Sequence, residues 1–545
     1  MTPDFSTLGH LTRSTDSREW DIVVVGSGHN GLIAAAYLAH AGKKVLVLER
    51  NTYPGGGVAT IEMSEPGFKS ERHSAIHQMI LGNPLIKNDE LSLQSQYGLK
   101  YLNLDVPYGV VFEEGVLPLY QDRAKTIAAI TKWSLSDAEA YDKFMDIAVQ
   151  VTDLLMPSMF EPPADLTAKI ADSPPLAAII AQASEESVYD VISRWFTSQA
   201  VQLALVRLAS EVQLAHPRKP QTGLFCFLLM GLLETFGLSI PQGGGSAFTE
   251  SVIRCIRDHG GDIMLDTEVI KILVENGRAT GVQTRSGQIL AKYAVIGQIH
   301  PHLLGRMVEG VPPDVIADAK ATKLSPYTGF VVHASLEEPL KYKAGPVADR
   351  CIMNTICPPD MEALLKSYDS LDRGILPSHA IFGASCTSGV DKSRAPPGKA
   401  VLHFFVMTKY DVKDGAANWD RVKDKYVQEL FCQLGRYTLN FRPEIIRSYH
   451  VVTPLDHERD SPSFQRGDIS GLAMGMDQFG LSRPTPALAN YRVPGIEGLY
   501  LAGPFMHPGG GVWGGGRPVA KVVFGDLGMD FDAIFVHRKI SKSKI

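Results

Sequence analysis

At 545 residues the chain is longer than a single hydrophobic core grows, which predicts two or more lobes. Its 45% hydrophobic and 21% charged residues are ordinary for a globular protein, and a net charge of -6 argues against nucleic acid as a partner, since phosphate binding calls for a basic field. Six scattered cysteines with no C-x-x-C pair indicate neither a disulfide framework nor a zinc site, so no metal is expected and the reducing cytoplasm is the default location.

Residues 1–20 are polar, carry both signs of charge and lack the apolar stretch of a secretory signal, so they read as a mobile lead-in. Residues 21–25 (Asp-Ile-Val-Val-Val) have the β-branched continuity of a buried parallel strand. Gly26, Gly28 and Gly31 follow at G-x-G-x-x-G spacing. Gly26 permits a tight turn, Gly28 lets backbone approach a pyrophosphate, and Gly31 lets helix and strand pack closely. Residues 32–40 predict a helix that Gly42 can end, and its start offers free N–H groups and a positive dipole end to phosphates. Residues 45–48 predict a second strand, closed by Glu49, which stands 18 residues after Gly31 to accept bonds from ribose hydroxyls. A second glycine cluster, Pro54-Gly55-Gly56-Gly57, suits backbone that hugs a cofactor longer than a nicotinamide dinucleotide.

His73 and His77, four apart, are predicted to share a helical face; a metal pair would need more ligands, so structural histidines are the plainer reading. Residues 100–240 read mostly as helices, broken at Pro162, Pro163, Pro174 and Pro175. Within them residues 223–233 form an uncharged apolar run, too short to span a bilayer. A core helix is the leading reading, with a substrate tunnel wall or a membrane-surface contact as alternatives. Residues 248–259 predict a helix and 262–265 a strand, and the turns Asn276-Gly277 and Ser286-Gly287 mark a β-meander. Strand-like runs at 329–334 and 400–408 and a helix near 419–434 predict a sheet-containing second lobe over residues 325–490. A last apolar strand near 498–503 leads to a loop with six glycines from His507 to Arg517, then a helix over 518–526. The basic tail ends Ser543-Lys544-Ile545, close to the S-K-L peroxisomal address of a eukaryote.

These motifs carry a resemblance. Residues 26–38, Pro-Gly-Gly at 54–56, Pro-Gly-Phe at 66–68, Gly-Gly-Gly at 243–245 and His-Pro-Gly-Gly-Gly-Val at 507–512 are similar to the phytoene desaturase family of amine-oxidase-like flavoproteins. Within it the chain resembles the group of pyridine nucleotide-disulphide oxidoreductase domain-containing proteins, although it has no redox cysteine pair. The resemblance covers the cofactor-binding parts well and is thin across 100–240 and 325–490. It implies an α/β fold with a discontinuous Rossmann-type FAD-binding domain (21–100, 241–305 and 495–530) and a substrate domain of mixed sheet and helix (101–240 and 306–494), with 531–545 as tail.

It also implies non-covalent FAD, with Gly26, Gly28, Asn30 and Gly31 at the pyrophosphate, Glu49 on the adenosine ribose, and Val269 as backbone contact to adenine. Gly56 and Gly57 follow the ribose acid, and Gly503, Gly510, Gly511 and Val512 lie near the flavin. Many relatives carry an arginine where this chain has Gly57, which leaves Arg50 or Arg517 to reach the cofactor. The 507–517 loop is expected to aim N–H donors and a helix start at the isoalloxazine edge. His507 is then a candidate proton relay or loop-fixing group. Trp513 stacks on flavin or substrate or is simply packed, His73 faces substrate, and Arg517 balances negative charge on the flavin or a phosphate. The activity implied is hydride removal from an apolar, polyene or lipid-like substrate to flavin N5, with O2, a quinone or another electron acceptor. Double-bond isomerisation or saturation is the alternative reaction, and a cofactor-free binding protein of the GDP-dissociation-inhibitor type the alternative class. Peripheral membrane contact is a further expectation; oligomeric state is left open. All of this requires that three separated glycine-bearing stretches converge on one cofactor.

Overall fold

The computed structural model describes residues 19–536, so the lead-in before Glu19 and the Ser543-Lys544-Ile545 end lie outside the described residues. Strand β1 (Glu19–Val25) runs through the middle of one sheet, and its Ile22, Val23 and Val24 have no exposed surface. Helix α1 (His29–His40) is buried on nearly every side, because its Ala- and Leu-rich sequence presents apolar surface all round. Strand β2 (Val45–Leu48) pairs parallel with β1.

Among the described residues this first sheet has seven strands. β1 lies between β2 and the strand Gly287–Gly297, Asp262–Met264 flanks β2, and Leu499–Leu501 pairs with the far end of Gly287–Gly297, all parallel. The start, middle and end of the chain therefore share one sheet. The strands Val269–Glu275, Arg278–Thr284 and Gly287–Gly297 form the antiparallel meander, and Asn276 and Gly277 both adopt positive φ (51° and 75°), as a type I′ turn requires.

A second sheet of seven strands forms the other lobe, in the order Ile446–Val452, Thr328–Leu336, Ala400–Thr408, Ile381–Ser385, Met353–Ile356, Tyr108–Val111, Val116–Leu119. The last two strands, and Tyr101–Asn103, lie where the sequence reads as helix. Their β-branched runs are short, and the helices Arg123–Thr131 to Leu224–Phe236 dominate the stretch by length. The apolar run at 223–233 is a core helix: it crosses the helix Leu135–Leu155 so closely that a Cβ on Gly231 would sit 2.3 Å from the Ala148 carbonyl oxygen. Its large side chains are buried or mostly buried, which corrects the reading of a membrane-dipping surface. No helix among the described residues is long and apolar enough to cross a membrane. Residues 531–535, read from sequence as tail, form a helix whose Phe531 and Phe535 rings pack 5.1 and 4.9 Å from Tyr37 of α1.

The helix Gly516–Asp526 lies on α1 at backbone contact distance, and a Cβ on Gly516 would stand 2.0 Å from the Asn30 carbonyl oxygen. Gly525 in the same helix has open space around it. Gly516→Ala is expected to cost about 1–3 kcal/mol in denaturant unfolding. Gly525→Ala, by contrast, should stabilise by about 0.4–1 kcal/mol. Equal effects at the two positions would contradict the close crossing.

Candidate functional site

A cavity of about 620 Å3 opens at the carboxyl ends of the parallel strands, within the range of roughly 300–1,000 Å3 usual for ligand sites. Its wall follows a chain of contacts. Val269 and Thr267 stand at one part, and the Thr267 N–H donates to the Glu49 carbonyl oxygen (2.7 Å). The Glu49 carboxylate accepts from the Ser27 N–H (2.9 Å), the Ser27 hydroxyl (2.7 Å) and the Asn51 N–H (2.9 Å). These bonds fix a buried carboxylate with acceptor capacity left for a ribose hydroxyl. Next come Gly26 and Gly28, bridged to the second glycine cluster through Gly55. A Cβ on Gly56 would lie 3.2 Å from Gly28 Cα, so two backbones meet closely here. Beyond Gly57 the wall continues to His73, then Phe464, whose ring packs edge-on at 4.8 Å from His73.

The residues present fit a flavin dinucleotide. Helix α1 begins at Gly28 with no side-chain cap, which leaves its first N–H groups to a ligand. On the same wall His29 Nε2, Asn30 Oδ1 and both ring nitrogens of His73 are buried without a hydrogen-bond partner. A pyrophosphate would take the N–H groups, and the ribose would take Glu49.

Of the residues singled out by sequence, Gly26, Gly28, Asn30, Glu49, Arg50, Gly56, Gly57, His73, Val269, Gly511 and Val512 line this cavity. Gly31 lies just beneath it, where a Cβ would stand 3.1 Å from the Gly26 carbonyl oxygen, so its role is packing. Gly503 and Gly510 are off the wall. At Gly503 the chain turns with φ 139° to present Pro504 and Phe505, and a Cβ on Gly510 would strike the Ser470 carbonyl oxygen at 2.6 Å.

Three chemical assignments are corrected. His507 is buried away from the cavity, its Nε2 3.1 Å from the Ser158 carbonyl oxygen, and burial lowers its pKa to about 4. It fixes the loop. Trp513 donates to the Gly510 carbonyl oxygen (2.8 Å) and packs among Met156, Met159, Phe160 and Leu232. Arg517 is wholly engaged elsewhere: Glu90 takes two of its N–H groups (2.8 and 3.0 Å) and Glu161 another (2.7 Å). The glycines of this loop approach the start of α1 and Ser470 more than they approach the cofactor, and the helix start packs on α1. His73 and His77 share no helix. Residues 72–77 are irregular, and His77 is structural, its Nδ1 2.9 Å from the Tyr101 hydroxyl.

Sequence reasoning missed Arg72, Gln298, Asp460, Ser463 and Phe464 on the wall. Arg72 forms an ion pair with Asp460, whose carbonyl oxygen also accepts from Arg50 (3.0 Å). Only Arg72 had a local signal, beside His73; the 460–464 segment belongs to no motif. Elsewhere, ligand atoms of His40, Cys255 and His259 lie within 4.8 Å of one another, but His259 Nδ1 already bonds the Cys255 carbonyl oxygen (2.8 Å) and its ring packs at a tilt 4.3 Å from that of His40.

The chain matches the flavin containing amine oxidoreductase family over residues 31–515. It is 28% identical to the pyridine nucleotide-disulfide oxidoreductase domain-containing protein 2 of Rattus norvegicus, across 93% of this chain and 94% of that protein. It is 27% identical to a limonene dehydrogenase component from Castellaniella defragrans, across 95% of this chain and 96% of that one; carotenoid desaturases are more distant relatives. The crystal structure of an oxidoreductase from Methanosarcina mazei has the same fold, with a TM-score of 0.60 at 16% identity over 93% of this chain and 99% of that one. The chain belongs to the flavin-containing amine oxidoreductase family, and FAD is its cofactor. Membership favours the flavin-bearing readings over the cofactor-free binding protein.

Two results are expected. Gly28→Val should yield a folded protein without the yellow colour of bound FAD, because the added bulk meets only the flexible end of Gln298 (a Cβ 2.5 Å from its Oε1) yet fills the pyrophosphate position. Arg517→Ala should instead lose about 3–5 kcal/mol of stability, by stranding Glu90 in the interior. A stable, colourless Arg517→Ala protein would return that arginine to the cofactor. A pH effect follows as well. Burial lowers His403, His457 and His507 from 6.5 to about 4 in the folded state. Between these values the unfolded chain binds the protons, so stability is complete above pH 6.5 and lost as pH falls toward 4. Each histidine contributes on the order of 3 kcal/mol to that loss. A denaturant midpoint unchanged from pH 7 to 4.5 would contradict neutral, buried rings.

Proposed function

We propose that this member of the flavin-containing amine oxidoreductase family removes a hydride from an apolar organic substrate, as a desaturase or dehydrogenase, with O2, a quinone or another acceptor taking the electrons. Bound FAD supplies the hydride-accepting chemistry at its N5 position. The protein's own residues bind, orient and exclude water.

The observation that carries this reading is the character of the wall around His73. The cavity wall includes the apolar side chains of Val58, Phe464, Ile469, Phe505 and Val512, with Phe464 packed on His73, and Arg72 beside His73 is paired. Asp460 holds Arg72. A cationic amine substrate would want a free carboxylate here, and Asp460 is already paired. His73 is driven well below its ordinary pKa, by burial first and then by His457 and Arg72, so at neutral pH its ring is uncharged. The names of two kinds of relative, a limonene dehydrogenase component and carotenoid desaturases, support an unsaturated hydrocarbon as the substrate class.

Anaerobic mixing tests it. An unsaturated terpene or polyene should bleach the flavin absorbance of the purified protein, and a diamine should not. Bleaching by the amine alone would overturn the reading. Conversion of a double bond without bleaching would move the assignment to isomerisation. His73→Gln should keep its FAD and slow bleaching by roughly a hundredfold.

A further inference from the structure

We propose that Gln298 positions the phosphate-binding turn. Its side-chain amide holds the carbonyl oxygens of Gly26 and Gly28 away from the cofactor, and so aims peptide N–H groups at it. The inference rests on FAD as the cofactor and needs no particular substrate.

Gln298 is the first residue after the strand Gly287–Gly297. Gly297 stands opposite Val25 in the parallel register, and the Gln298 N–H donates to the Val25 carbonyl oxygen (2.9 Å). The main chain of Gln298 is therefore fixed level with the end of β1, where the turn begins. Its side chain reaches under that turn. Nε2 donates to the Gly26 carbonyl oxygen (2.6 Å) and to the Gly28 carbonyl oxygen (3.3 Å). A primary amide carries two N–H donors on one nitrogen, so both bonds form at once. The Gln298 carbonyl oxygen accepts from Ser463 Oγ (3.3 Å), which ties the same residue to the 460–464 segment of the cavity wall.

All three glycines of the motif pack on this amide. A Cβ on Gly26 would lie 3.3 Å from Nε2, one on Gly28 would lie 2.5 Å from Oε1, and one on Gly31 would overlap Nε2. The G-x-G-x-x-G spacing in this chain therefore makes room for Gln298 as well as for a pyrophosphate.

The consequence of the two bonds follows from peptide planarity. In a trans peptide the C=O and the N–H point in opposite directions. The unit between Gly26 and Ser27 is held at both ends, its carbonyl on Gln298 and its N–H on the Glu49 carboxylate (2.9 Å). The unit between Gly28 and His29 has its carbonyl on Gln298 and on the Leu32 N–H (3.1 Å), so the His29 N–H faces the other way. His29 lines the cavity and heads α1, whose start has no side-chain cap. That N–H lies at the positive end of the helix, where an anion is stabilised. Rotating either unit would instead turn a carbonyl oxygen toward the phosphates. Gln298 acts through the turn and is a positioning residue.

The affinity of the full chain for FAD, read by flavin fluorescence at pH 8 and pH 6, tests this. Gln298→Met keeps the side-chain length and removes both donors. It should bind FAD roughly tenfold more weakly at both pH values. Gln298→Glu sets an acceptor-only carboxylate against two carbonyl oxygens, close to the phosphates. At pH 8 its affinity should fall roughly a hundredfold. Burial raises the pKa of such a carboxyl, so at pH 6 it is protonated and donates one O–H to the turn. Most of the loss should then be recovered, relative to the unaltered chain at the same pH. A residue that merely filled space would show no such recovery. If Gln298→Met does not fold, the Glu variant compared with itself at the two pH values still decides. An unchanged affinity in Gln298→Met, or a Gln298→Glu defect equal at pH 8 and pH 6, would overturn the role of Gln298. Failure of the unaltered chain to bind FAD would count instead against the flavin site itself.

Discussion

Everything in the cofactor lobe depends on backbone meeting backbone at the start of α1. Gly56 reaches Gly28 and Gly31 reaches the Gly26 carbonyl at distances that leave a methyl group little space, and Gly516 reaches the Asn30 carbonyl at one that a methyl group would violate. These contacts bring residues near 30, near 55 and near 515 to one point. They also leave peptide N–H groups lining the cleft where a phosphate would sit. The parallel strands beneath, β1, β2 and Gly287–Gly297, hold this point rigid from below.

This part of the molecule was legible in the sequence because its signals are local. A β-branched run, three spaced glycines, an Ala-rich helix and a terminal acid each constrain their own neighbourhood, and they agree. The meander was legible for the same reason, through its two glycine-containing turns. Glu49, Val269 and Gly57 lie on the cavity wall where motif position puts them.

The rest was less legible, for two physical reasons. A glycine-rich stretch reports that something comes close, not what it is. Between His507 and Arg517 the close neighbours are mostly α1, Ser470 and Met474, and only Gly511 and Val512 reach the cavity. His507 and Trp513 are consequently packed, and Arg517 meets Glu90, a partner 427 residues away. The second reason is that the far side of the cavity comes from segments with no local pattern. Asp460, Ser463 and Phe464 follow a short helix in the second lobe, and His333, His403 and His450 meet only because three strands align in register. Strand register is a long-range property, and a histidine on a strand has no periodic signature.

The cofactor half of the site is built largely from backbone, with the Glu49 carboxylate beside it. The other half is built from side chains, and there the charges cancel in pairs. Arg72 is matched by Asp460, and Arg50 is spent on the Asp460 carbonyl. Around His73 the wall therefore presents little uncommitted charge, and the buried imidazoles there stay neutral. Discrimination in such a site falls to shape and apolar contact. One methylene is then worth only about 1–3 kcal/mol. On the proposed function, such a pocket would recognise a class of hydrocarbon more readily than a single compound, and changes at Phe464 or Ile469 would redirect it without disturbing the flavin.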